Sequence, residues 1–160
     1  MRSARARHQT GPPAADRSIG LVAARRAIKA DGPVRIGDGA TVVQVSWSRS
    51  IAAGKVAWGV AQPLAERGVR VTPVEVNEES VDAGSLFDHA VDQDLVLVVR
   101  DLHRHEWQGN LADALLARRP DAVVVEMGLP QCRPKGASAY ITTYGAARVC
   151  GEAAAEVMRP

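Results

Sequence analysis

Three short runs limit what this chain can fold into: "TVVQVSW" (41–47), "DLVLVVR" (94–100) and "DAVVVEMG" (121–128). They are apolar and rich in β-branched residues, as strands covered on both faces are. Two further extended segments flank them. In "VRVTPVEV" (69–76), Pro73 cannot donate to a ladder and so points to a sheet edge. "SAYITTYG" (138–145) is the other.

Helical segments lie between and around these runs. "SIGLVAARRAIKA" (18–30) begins at Ser18, a good cap, and its periodicity places Ile19, Val22, Ala23 and Ala27 on one inward face. "ADGPVRIGDGA" reads as a turn-rich connector. A helix is expected from about Gly54 to Arg67, stopped by Gly68 and bent or interrupted at Pro63. "ESVDAGSLFDHAVD" (79–92) reads as a short helix weakened by Gly84 and Ser85. "QGNLADALLARRP" (108–120) turns Leu111, Leu115 and Leu116 inward, and "AARVCGEAAAEVM" (146–158) closes the chain.

Strands alternating with helices of this length predict an α/β fold. The expected form is a three-layer α/β/α sandwich around a mostly parallel sheet of about five strands. With 160 residues, one domain over 18–160 is expected. Residues 1–17 carry Arg2, Arg5, Arg7 and Arg17 against Asp16 and read as a disordered basic leader. They lack the apolar core of a secretory signal, and no run approaches the length of a membrane helix. A net charge of +2 argues against a nucleic-acid partner. Cys132 and Cys150 are expected to be reduced, in a cytoplasmic setting.

Ligands of such sheets bind outside the carboxyl ends of the strands. At one of those ends "LHRHEWQ" gathers His103, Arg104, His105 and Glu106. A zincin needs H-E-x-x-H, whereas here the order is His-Arg-His-Glu, with Arg104 opposing a cation. No metal site is therefore expected. Acid–base work by Glu106 would need an opposing carboxylate, for which Glu75, Glu78, Glu79 and Asp101 are all open. The competing reading is that Glu106, Trp107 and Gln108 start a helix, where an early acid suits the dipole. "AAGK" lacks the upstream Gly and following Ser or Thr of a P-loop, and no serine sits in G-x-S-x-G. No cofactor and no catalytic residue is expected. The candidate ligand-binding residues are Ser46, Ser48 and Arg49 of "SWSRS" together with His103, Arg104 and His105.

From "DLVLVVR" to "AEVM" the sequence resembles the C-terminal α/β domain of glycoside hydrolase family 3, most nearly its β-N-acetylhexosaminidase branch. The residues that carry the likeness are Gln108, Pro120, Val123 to Val125, Gly128, Pro130, Thr143, Tyr144, Gly145 and Ala153 to Ala155. "SIAAGKVAWGVAQPLAERG" is similar to the family's N-I-A-A-G…W-G-L run, so the resemblance extends over residues 18–158. Complete members carry a (β/α)8 barrel, which takes roughly 250 residues. The K-H-F-P-G-H-G-like run and the nucleophilic Asp of that barrel are missing here. None of Glu75, Glu78, Glu79 and Glu106 is matched to the acid/base glutamate that other branches draw from this domain.

The resemblance thus implies a stand-alone or truncated non-barrel domain of a β-N-acetylhexosaminidase or β-glucosidase, inactive alone. The partners it implies are a separately encoded barrel and a carbohydrate. Beside it stand a small-ligand or regulatory binding module and a gene remnant.

Overall fold

A computed structural model describes residues 14–46, 58–79 and 92–160, with backbone alone for 14–17. Of the helices expected over 54–67 and 79–92, residues 54–57 and 80–91 lie outside the described residues; the described part of the first is helical only over Ala61–Glu66.

The chain order is α1 (Ala14–Ala27), β1 (Lys29–Asp31), β2 (Gly39–Val45), α2 (Ala61–Glu66), β3 (Arg70–Val76), β4 (Asp94–Val99), a 3-10 turn (Leu102–Arg104), α3 (Glu106–Arg118), β5 (Val123–Glu126), β6 (Ala139–Thr142) and α4 (Arg148–Met158). One six-stranded sheet runs in the order β1-β6-β5-β4-β2-β3. All pairs are parallel except β1 with β6.

Alternation along the strands builds two cores. Val42, Val96, Val98, Val123, Val125 and Ile141 face one side, where Leu64 of α2 and Ala154, Ala155 and Met158 of α4 cover them. Val43, Val45, Leu95, Leu97, Val99 and Val124 face the other, beneath Leu111, Ala112, Leu115 and Leu116 of α3. This is the three-layer sandwich that the apolar runs predict. The sheet has six strands because Lys29–Asp31, read from sequence as the end of a helix and the start of a connector, pairs with Tyr140–Thr142. Three exposed residues carry no periodic signal.

Both edges are blunted against further pairing. The β1 edge is short, and β3 carries Pro73 on an otherwise mostly exposed strand, as expected. Pro63 neither bends nor interrupts a helix. It occupies the first turn of α2, where the missing N–H has no intrahelical acceptor to lose.

The first helix starts at Ala14, so Ser18 is inside it rather than capping it. Its inward side also differs from expectation. Ala24 is buried and Ile28 packs on the first core, whereas Ile19 is 66% and Val22 46% exposed. Apolar residues occur all round this helix, so periodicity alone does not select a face. Contact with α4 selects it, supported by the Arg25–Glu156 ion pair at 2.6 Å. Ile19→Ser is therefore expected to move the urea midpoint by the equivalent of less than about 0.5 kcal/mol. An inward Ile19 would cost several times as much.

Candidate functional site

From β2 the described chain passes to α2 on one face of the sheet, and from the adjacent β4 it passes to α3 on the other. Where neighbouring strands feed opposite faces, a crevice opens at their carboxyl ends. Ser46 lies there, its N–H donating to the Val76 carbonyl at 2.8 Å and extending the β2–β3 ladder. The segment His103-Arg104-His105 follows the end of β4, so the structure places it on the same edge as Ser46, one strand away. Ser48 and Arg49 lie outside the described residues.

His103 belongs to the 3-10 turn and is half-buried, its Nδ1 fully enclosed and without a hydrogen-bond partner. Arg104 is exposed. His105 is the extended residue before α3, and its carbonyl accepts from the N–H groups of Gln108 (3.1 Å) and Gly109 (3.3 Å). Glu106 opens α3, as the helix-start reading has it. Among the described residues no group of three His, Cys, Asp or Glu side chains is arranged to hold a metal ion.

Sequence reasoning missed the residue that organises this edge. Glu126 ends β5 at 1% exposure. Its Oε1 accepts from the N–H groups of Asp101 (2.9 Å) and Gly128 (2.7 Å), and its Oε2 accepts from that of Leu102 (3.2 Å). Asp101, left-handed at φ 52°, returns the connection by accepting the Leu129 N–H at 2.9 Å. The Thr143 N–H donates to the Glu126 carbonyl at 3.0 Å. The loops after β4, β5 and β6 thus meet at one carboxylate and its own peptide group. Gly128 is obligatory in this packing, since a Cβ there would stand 2.6 Å from the Asp101 nitrogen. The available signal was a lone acid ending "VVVE", which must find partners if the strand is buried.

Burial pushes the Glu126 carboxyl above the usual glutamate range. The three amides pull it down, and the Asp101 charge adds to the rise. With both oxygens engaged by backbone, Glu126 is placed to hold loops.

Gln108 was singled out from sequence for its position, and the structure adds an unusual environment. It is fully buried on the core-facing side of α3, and neither amide atom has a hydrogen-bond partner. Tyr144, at φ 56° and 44% exposed, follows β6 on the same edge, with the Lys29 Nζ 5.6 Å from its ring centroid. Cys132 and Cys150 are unpaired thiols.

The fold and its crevice define a doubly wound α/β domain. No family model matches the sequence, and no curated protein is significantly similar to it. Solved structures supply the particular likeness. A glycoside hydrolase family 3 β-N-acetylglucosaminidase from Paenibacillus sp. str. FPU-7 superposes with a TM-score of 0.79 at 14% identity, over 99% of this chain and 33% of that one. A fungal multi-domain family 3 β-N-acetylglucosaminidase, described as containing a GCN5-related glucosamine N-acetyltransferase region, gives a TM-score of 0.67 at 14% identity, over 90% and 18%. The chain therefore shares its fold with a part of these enzymes and spans a third or less of their length. No helix among the described residues is long and apolar enough to cross a membrane.

Proposed function

We propose that this chain is the non-barrel α/β domain of a family 3-type β-N-acetylhexosaminidase or β-glucosidase. It lends its carboxyl edge to a carbohydrate cleft that a separately supplied (β/α)8 barrel completes. In this reading residues 18–160 act as one domain preceded by a basic leader, in the cytoplasm. The observation that carries it is a fold match over almost the whole chain to a region of much longer enzymes. The order of the sequence motifs, from Gln108 through Gly128 to Tyr144, supports it independently.

Alone, the chain is inactive as a glycosidase. Retaining hydrolysis needs two carboxyl groups about 5 Å apart across the scissile bond. The paired acids of this edge, Glu126 and Asp101, are instead tied to backbone amides. Purified chain is expected to release no chromophore from an aryl β-N-acetylglucosaminide, and to co-purify with a barrel encoded beside it. Release by the chain alone, abolished in Glu106→Gln, would overturn the proposal.

A second reading, a carbohydrate- or small-ligand-binding regulatory module, is favoured by exposed Arg104 on the same sheet edge as Ser46. It takes Ser46, Ser48, Arg49, His103, Arg104 and His105 as the contact residues. Under it, N-acetylglucosamine raises the melting temperature of the chain in the absence of any barrel, and Arg49→Ala or Arg104→Ala removes the rise.

A further inference from the structure

We propose that Glu126 is a proton-operated latch that sets the position of the His103–His105 segment. The argument starts from how its two oxygens are used. Oε1 accepts two amides at 2.7 and 2.9 Å, whereas Oε2 accepts only the Leu102 amide, at 3.2 Å. An added proton therefore settles on Oε2, the less engaged oxygen. The hydroxyl oxygen this makes is a weaker acceptor than the carboxylate oxygen, so the already long Leu102 N–H bond is the one that weakens most. The Asp101 and Gly128 bonds to Oε1 survive, because a neutral carboxyl keeps its carbonyl acceptor.

Leu102 is the first residue of the 3-10 turn, and His103 and Arg104 are the next two. Weakening this bond therefore loosens the segment that carries three of the candidate contact residues. The loop after β5 and the Thr143 connection stay in place, since neither depends on Oε2. The latch acts on one loop and leaves its neighbours fixed.

The surroundings favour proton uptake at a higher pH than an ordinary glutamate shows. The carboxylate is enclosed, and the charged group acting on it, Asp101 from the loop after β4, is itself an acid. The ionisable groups that feel its charge, Cys132 after β5 and the Tyr140 hydroxyl on β6, are both held in their neutral forms by burial and by that charge. A carboxyl raised in the folded state binds its proton more readily there than in the unfolded chain. Opening is thus a local event that the fold tolerates, and acid does not unfold the protein through this group.

The test is a pH titration of the full chain by NMR, with 13C-labelled carboxyl groups and 15N-labelled amides, from pH ~3 to ~8. The Glu126 carboxyl carbon and the Leu102 amide are expected to share one midpoint above the ordinary glutamate range. Exchange protection of the Leu102 amide falls about tenfold on the acid side, while that of Gly128 changes little. Glu126→Gln removes the Leu102 titration and holds the amide at its acid-limit position throughout. His103→Gln with His105→Gln leaves the titration intact. Separate midpoints, persistence in Glu126→Gln, loss in the histidine variant, or loss of protection at Gly128 in place of Leu102 would each overturn the latch. If Glu126→Gln does not fold, the shared or separate midpoints of the wild-type carboxyl and amide still decide. None of these readings depends on glycosidase activity or on a barrel.

Discussion

Replacing Glu126 with Ala is expected to lower the free energy of unfolding by about 3 to 5 kcal/mol, a large share of the total for a domain this size. The cause lies in what the side chain leaves behind. The N–H groups of Asp101, Leu102 and Gly128 lose their acceptor together, in a place where the carboxylate is 1% exposed. Each orphaned buried donor costs about 1 to 3 kcal/mol, and water entering the space left by the side chain recovers part of that. Glu126→Gln keeps one carbonyl acceptor for two of the three donors and is expected to cost about half as much or less. Urea unfolding of the three proteins at neutral pH measures both differences. Equal midpoints for wild type and Glu126→Ala would show that the amides find other acceptors and that the loops do not depend on this residue.

The same substitution has a pH signature. Burial raises the Glu126 carboxyl, so the stability linked to its proton, separate from the amide contacts, is fully present below the unfolded glutamate value and is lost as pH rises through the folded one. Asp121 and Glu156 act in the opposite sense. The hydrogen bonds from Arg119 and Arg25 hold these carboxyls below their ordinary values, so their contributions are present at higher pH and are lost as pH falls. Glu126→Gln should therefore remove only the decline on the rising side of the profile. Both residues of the Arg25–Glu156 pair are partly exposed, so its share is small and falls further with salt.

How much of this was legible in the sequence follows from where the information sits. Leu95 to Val99 and Val123 to Val125 are apolar without interruption because helices cover both sides of those strands, and that alone gives the layered fold. The strand Lys29–Asp31 has no such mark. It is held by backbone pairing to Tyr140–Thr142, which any residue with a free N–H can supply. In α1 the spacing of Ile19, Val22, Ala23 and Ala27 was real, but Ala24 and Ile28 offered a competing face that only the packing with α4 selects. At the carboxyl edge the positions of His103, Arg104 and His105 were readable from the end of β4. Glu126 was not, because its role exists only once Asp101 and Leu102, remote in sequence, are brought against it. A buried acid on a strand reads as an interruption until its donors are known.

Gly151→Ala is the second substitution expected to have a large effect, a loss of about 2 to 4 kcal/mol. A Cβ on Gly151 would stand 2.1 Å from the Gly59 carbonyl oxygen and 3.2 Å from its carbon, so the obstruction is backbone and cannot rotate away. Gly59 is itself fixed at φ 100°, a conformation that resists adjustment. Relief requires α4 to lift from the sheet, and α4 carries the fully buried Ala154, Ala155 and Met158 of the first core. The gain in helix propensity from Gly to Ala, about 1 kcal/mol, acts against this loss and is too small to reverse it. Gly109 provides the control. It holds the fourth position of α3 as Gly151 holds the fourth of α4, but a Cβ there meets nothing within 4 Å. Gly109→Ala should therefore raise stability by about 0.5 to 1 kcal/mol, leaving propensity as the only change. Urea midpoints of the two variants should move in opposite directions from wild type. A shift of the same sign in both would mean that α4 does not rest on the Gly59 turn, and that the close crossing of glycine on glycine does not set its height above the sheet.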